Sequence, residues 1–258
     1  MNKKRAMSSE EASYVKIKGH KDARDFASLL GIGKEYTSEP QAKKDVIDSE
    51  GNTFSVKSGE KKWQIFLYGK TRFSEDYDFR GMNGISAIFL ECINAFPESR
   101  EEYLKNKIIY KEKLKTPMRK LCEKLKEKRL IEAFFYKSIF NSGEVNYLVI
   151  KVGFNYHIFS NKYVVKVLSE KISVENSKAR QKGQIDDQKV VFKVDKRTIG
   201  EIEMRNDSDV HYREVKFWLN KDKTFKILQE NIQNRSLLKE NVIIYGELIK
   251  KLKKIYNK

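Results

Sequence analysis

Lys44-Asp45-Val46-Ile47-Asp48-Ser49-Glu50-Gly51-Asn52-Thr53-Phe54-Ser55-Val56-Lys57 is the stretch on which the reading of this chain turns. Asp48-Ser49-Glu50-Gly51 suits a type I turn, with Asp at its first position and glycine where the backbone needs positive φ. The expected product is a hairpin with a three-residue loop and a bulge. Loop length then fixes register, because a slip of one residue sends every side chain to the opposite face. In the three-residue register Asp48 faces Asn52 and Asp45 faces Ser55. Side chains two apart on a strand share a face, so Asp45, Ser55 and Lys57 converge on one side while Phe54 and Val56 turn towards a core. A two- or four-residue loop would bring Asp48 to Ser55 and Lys57 instead; the turn chemistry favours Asp45. The same residues also suit a surface hairpin whose exposed Asp–Lys pair contributes about a few tenths of a kcal/mol.

Charge narrows the partners. Fifty-three basic residues against 36 acidic ones give +17 over 258 residues, so a polyanion is the economical partner and nucleic acid the first candidate. No apolar run of about 18 residues occurs and no signal-peptide core follows Met1-Asn2-Lys3-Lys4-Arg5, which leads us to expect a soluble, intracellular protein with no membrane contact. Cys92 and Cys122 stand far apart without a CxxC or Cys/His cluster, as buried thiols do. His20, His157 and His211 sit in no nucleophile motif, and no P-loop occurs, which argues against triad hydrolysis and against a nucleotide cofactor. Only three prolines and no glycine- or serine-rich linker interrupt the chain. It reads as one domain over residues 1–258, with 1–15 a flexible basic N-terminus.

An aspartate on one strand followed by an acid-x-Lys triplet on the next resembles the PD-(D/E)xK nuclease family, which includes many type II restriction endonucleases. Here the pattern runs Asp45, nine intervening residues, then Ser55-Val56-Lys57. It departs from the family in two places: the nearest proline to Asp45 is Pro40, and Ser55 stands where the second acid belongs. The resemblance implies Mg²⁺ held by Asp45 and Ser55 with the backbone carbonyl of Val56, and Lys57 orienting or activating the attacking water. Either Ser55 ligates through its hydroxyl or through water, or another acid such as Glu39 or Glu60 makes up the missing charge. It further implies an α/β fold with a mixed central β-sheet flanked by helices, sequence-specific cutting of double-stranded DNA, a homodimer on a palindromic site, and the cytoplasm of a bacterium or archaeon. In that family a preceding helix packs beside the site and sometimes lends an acid, which makes Asp22, Asp25 and Glu35 candidates.

A rival constellation lies further on. Glu214-Val215-Lys216 is literally an acid-x-Lys triplet, and Asp195 precedes it by eighteen intervening residues, but no turn is evident that would join them. The surrounding Arg205, Asn206, His211, Tyr212 and Arg213 are side chains suited to base edges, and Gln64 joins them as a DNA-binding candidate. The alternative for the whole chain is a non-catalytic nucleic-acid-binding protein, a nuclease of the same family outside restriction, or more remotely an RNA-associated factor.

Periodicity predicts a helix over 20–31, a helix or buried strand over 60–68 with Trp63 in the core, and a buried helix over 85–96. It predicts a pair of basic helices over 101–139, separated by Pro117. Strands are expected at 147–150, 156–159, 163–167, 190–194 and 199–204, with a charged, amide-rich loop at 173–189 that suits a DNA groove, so that 145–220 forms a β-rich recognition region. An amphipathic helix is expected over 236–256.

Overall fold

The computed structural model of the chain describes residues 9–33, 44–59 and 61–256. The first half runs α1 (Ser9–Leu29), β1 (Val46–Ile47), β2 (Thr53–Lys57), β3 (Lys62–Tyr68), α2 (Lys70–Glu75), α3 (Tyr77–Arg80), α4 (Ile85–Asn94), α5 (Arg100–Lys105), α6 (Lys107–Lys126) and α7 (Lys128–Phe140). There follow β4 (Tyr147–Val152), β5 (Asn155–Ser160), α8 (Asn161–Lys171), β6 (Ser173–Asn176), β7 (Lys189–Val194), β8 (Arg197–Met204), β9 (Val215–Asn220), α9 (Lys221–Glu230), β10 (Arg235–Lys239), β11 (Val242–Tyr245) and α10 (Leu248–Tyr256). The architecture is α/β, with one mixed and one antiparallel sheet flanked by helices.

Contacts group these elements into two compact units, each assembled from separate stretches of chain. Unit 1 comprises Met1–Lys61, Gly143–Val164 and Leu228–Lys258; unit 2 comprises Lys62–Ser142 and Val165–Ile227. The chain passes from one unit to the other without a long glycine-, serine- or proline-rich linker.

Unit 1 holds a six-stranded sheet in the order β1-β2-β4-β5-β11-β10. It is mixed, because β2 runs parallel to β4 and β11 parallel to β5 while the remaining pairs are antiparallel. Alternation along the strands puts Phe54, Tyr147, Val149, Tyr156, Ile158, Val242 and Ile244 on one face. There they form a core with Ala23, Phe26, Ala27 and Leu30 of α1 and Leu248 and Leu252 of α10. Val56 packs against the same core, as the hairpin register requires.

Unit 2 holds a five-stranded antiparallel sheet in the order β3-β9-β8-β7-β6. Phenylalanines dominate its core: Phe73 stacks on Phe89 at 4.4 Å between centroids, and Phe134 meets Phe217 at 5.2 Å. Burial of such rings is the main cohesive term here. Gly200 on β8 is required by close approach, since a Cβ there would stand 2.5 Å from Leu219 Cδ2 and 2.6 Å from the Trp218 carbonyl oxygen.

Several expectations need correction. The segment 163–167, read as a strand for its valines, belongs to α8: Val164 and Leu168 are fully buried at helical spacing, and the Ser160 hydroxyl accepts from the Tyr163 N–H at 3.3 Å at the start of the helix. Pro117 does not separate a pair of helices but lies inside α6, where its burial beside Leu114, Met118 and Leu121 offsets the lost backbone bond. The break comes instead at Glu127, whose backbone is extended. Residues 236–256 are not one helix, because β10 and β11 form a hairpin before α10 begins. Helix α1 starts at Ser9, within the segment expected to be a mobile tail, where no glycine or proline interrupts the chain before Gly19. The helix expected over 85–96, found at Ile85–Asn94, and both buried thiols agree with the sequence reading, and the segment 60–68, left as a helix or a buried strand, holds the strand β3.

Candidate active site

The hairpin of unit 1 adopts the three-residue loop. Asp48 N–H donates to the Asn52 carbonyl at 3.0 Å, Gly51 N–H donates to the Asp48 carbonyl at 3.0 Å, and Gly51 has φ +76°. Val46 pairs with Phe54 and Ile47 with Thr53. Asp48 is consumed by the turn: its carboxylate accepts from the Glu50 N–H at 3.0 Å, the Asn52 N–H at 2.7 Å and the Asn52 side-chain amide at 2.8 Å, and from the Tyr256 hydroxyl. A carboxylate so engaged is a member of the scaffold.

Asp45 is engaged differently. Its N–H donates to the Phe54 carbonyl at 2.8 Å, and its Oδ2 accepts from the Val56 N–H at 2.7 Å, standing in for the backbone partner that the next ladder position would supply. The same oxygen accepts from the Ser55 hydroxyl at 3.1 Å and lies 3.7 Å from Lys57 Nζ. Asp45, Ser55 and Lys57 therefore meet, as the register predicted. Ser55 is only 1 % exposed, while the Asp45 and Lys57 side chains keep 29 % and 27 % of their surface open. The result is a solvent-reachable carboxylate fixed by a buried hydroxyl and a backbone amide, with an ammonium beside it.

Of the additional acids, Glu35, Glu39 and Glu60, like Pro40, lie outside the described residues. Asp25 is exposed on α1. Asp22 is buried on the same helix, with Oδ1 at 2.5 Å from Lys151 Nζ. Burial pushes the pKa of this carboxyl up, but Lys151 and the Ser58 hydroxyl more than reverse that and leave it below the ordinary carboxylate range. Among the described residues no group of three or more His, Cys, Asp or Glu side chains gathers as a metal cluster.

The rival constellation is not brought together. Asp195 sits in the turn between Val194 and Arg197, with φ +48°, whereas Glu214 adjoins Val215, which pairs with Met204 at the other end of β8. At roughly 3.3 Å per residue the seven steps from Arg197 to Met204 hold the two acids on the order of 20 Å apart. Lys216 lies 4.0 Å from Glu203, and burial lowers its pKa. That segment is a true strand, paired to β8 on one side and β3 on the other, a partnership the sequence reading missed.

The proposed recognition side chains are mostly engaged within unit 2. The Arg205 N–H donates to the Glu214 carbonyl at 2.8 Å, and the Arg213 N–H to the Arg205 carbonyl at 3.1 Å, closing the loop between β8 and β9. The Tyr212 hydroxyl donates to the Pro97 carbonyl at 2.8 Å and Arg213 Nε to the Ile93 carbonyl at 3.3 Å, so both fasten the loop to the end of α4. Arg205 pairs with Asp207 at 2.7 Å and His211 Nδ1 lies 2.7 Å from Glu214. Asn206 is half-buried, and Gln64 stands exposed on β3.

No family model matches the chain, and no curated protein or solved structure matches it. No described helix is long and apolar enough to cross a membrane. The functional reading therefore rests on the geometry around Asp45.

Proposed function

We propose that this chain is a Mg²⁺-dependent DNA endonuclease of the PD-(D/E)xK kind, most economically a type II restriction enzyme acting as a homodimer on double-stranded DNA. One observation carries the reading: a half-open carboxylate, a buried hydroxyl and an ammonium converge across a single hairpin, at the positions the motif assigns to Asp45, Ser55 and Lys57. A net charge of +17 supplies the attraction to phosphate.

The donors suit a magnesium ion in kind, being hard oxygens, and Mg²⁺ commonly takes one or two carboxylates and keeps waters for the rest. Asp45 would hold it through the oxygen not bonded to Val56 and Ser55. The Val56 carbonyl, which in a strand points to the same edge as its N–H, would be the second protein ligand. Ser55 is better placed to orient Asp45 than to bind metal, since its hydroxyl is buried and donates to that carboxylate. A bound ion would supply charge for the phosphate and a more acidic water. Lys57 would position that water for in-line attack on phosphorus, on the side opposite the departing sugar oxygen, which would take its proton from solvent. Gln64, Arg205, Asn206 and His211 remain candidate DNA contacts, with Tyr212 and Arg213 supporting them from behind.

The test is cleavage of unmethylated phage DNA by the purified chain with Mg²⁺ or EDTA. Discrete fragments that need the metal, and a loss of at least about a hundredfold in both Asp45→Asn and Lys57→Ala, are expected. Lys216→Ala should cut at the wild-type rate. Metal-independent binding without cleavage would leave the non-catalytic nucleic-acid-binding protein as the better description.

A further inference from the structure

Unit 2 contains a concavity of about 570 Å³ lined by its own residues alone, between the segment 177–188, the polar face of β7 and β8, and α6. We propose that this groove binds the phosphodiester backbone of duplex DNA, an inference that rests on the DNA-directed reading above but involves none of the residues around Asp45. Lys111, Lys178, Arg180, Lys189 and Lys193 line it against a single acid, Glu201. Two of the cations are neutralised in place: Lys189 bonds Glu201 at 2.9 Å and Glu203 at 2.6 Å, and Lys193 bonds Glu175. Lys111, Lys178 and Arg180 take part in no ion pair among the described residues, so the groove keeps three cations free of direct pairing, with Asp186 turned to the backbone N–H of Ala179.

The wall that carries two of them is built, not loose. The Ala179 N–H donates to Asp186 Oδ1 at 2.6 Å and the Arg180 N–H to Gln184 Oε1 at 3.0 Å, folding the segment on itself. Arg119 grips Asp187 at 2.6 Å and Gln188 Nε2 donates to the Lys111 carbonyl at 2.9 Å, tying it to α6. A site ordered before its ligand arrives loses little entropy on binding. Asn176 and Gln188 spend their side-chain N–H groups on backbone carbonyls and brace the wall, while Gln184, whose Nε2 makes one long bond to Gln181 at 3.5 Å, adds a neutral donor of the sort that accompanies lysine and arginine on phosphate oxygens. No aromatic side chain lines the groove, so an unstacked base would find no ring to rest on. That distinguishes a duplex backbone from a single strand.

The experiment is a fluorescence-anisotropy titration of the full chain with a labelled duplex and with a single-stranded oligonucleotide in EDTA, at several salt concentrations. Lys178→Glu/Arg180→Glu and the milder Lys111→Gln are compared with Lys105→Glu/Lys107→Glu, a double reversal outside the groove, and with Lys57→Ala. The groove reversal should weaken duplex binding at least about tenfold and flatten the slope of log K against log salt by about two, while the outside reversal changes affinity less than about threefold. Lys111→Gln should flatten the slope by about one, and thermal melts should match wild type. Equal losses from both double reversals, no duplex binding by wild type, or tighter single-strand binding lost with the same groove residues would each overturn the proposal. Failure of the nuclease reading is separately visible: the groove variants would still weaken binding while no protein cuts DNA.

Discussion

His157 on β5 is buried and joined to the Tyr245 hydroxyl at 2.9 Å. Burial, and secondarily the Arg235 charge, lower its pKa from 6.5 to about 4. The folded state therefore refuses a proton that the unfolded chain accepts, and the stability this confers is present above about pH 6.5 and falls as pH drops towards 4. The full effect is on the order of 3 kcal/mol. Thermal melts between pH 4 and 7 should show the decline in wild type and a flatter profile in His157→Gln. Asp22 acts in the same direction at lower pH: its depressed carboxyl stabilises above the unfolded pKa and stops doing so once it is protonated. The site itself was legible at this scale because all its members lie within fourteen residues and a turn of defined chemistry fixes their faces. What compensates for Ser55 was not legible, because a distant acid is placed by tertiary packing and carries no local pattern.

Among the elements, α2, α3 and α7 are joined by a charge cluster whose centre, Lys137 and Asp76, is buried. Lys137 of α7, with a side chain 6 % exposed, lies 3.0 Å from Asp76 and 2.8 Å from Asp78, while Arg72 holds Asp76 at 2.9 Å. Asp76 also caps α3 by accepting from the Asp78 and Phe79 N–H groups at 3.1 Å. Removing the lysine would leave the Asp76 carboxylate with Arg72 and two backbone N–H groups, so the cost falls below that of an unpaired buried charge, at about 1–3 kcal/mol. Urea denaturation of Lys137→Met should show a loss of that size, partly restored by adding Asp76→Asn. Helices and strands whose pattern was strongly periodic were recovered from sequence, such as α4 and β8. The errors share a cause: Val164, Val165 and Val167 carry strand propensity, and Lys250 to Lys254 carry helical spacing backwards into β11, yet packing decides both. The β9 strand hid because the ten-residue loop 205–214, with no tight-turn signal, separates it from β8, and its other partner β3 lies some 150 residues earlier.

At the scale of the molecule, the sheet that carries Asp45 is assembled from three distant stretches of chain: 46–57, 147–160 and 235–245. Long-range pairing of this kind makes folding slow and strongly cooperative. Deleting residues 235–258 would remove β10, β11 and α10 and expose the buried face formed by Tyr147, Val149, Tyr156 and Ile158. Circular dichroism should then show loss of structure in excess of the deleted elements, and any cleavage shown by the full chain should vanish although every residue of the candidate site is still present. The division into two units escaped the sequence for the same reason, since chain that leaves a unit and returns leaves no linker to read.

The bond from the Tyr256 hydroxyl to Asp48 joins the turn of the hairpin to the far end of α10. During synthesis on the ribosome the hairpin emerges some two hundred residues before the tyrosine that secures it. A nascent chain, or one released early by a premature stop, carries the catalytic candidates on a strand pair with no finished support beneath it. If the chain is the DNA-cutting enzyme proposed here, its potential for harm to the cell's own chromosome is withheld until translation of this region is complete.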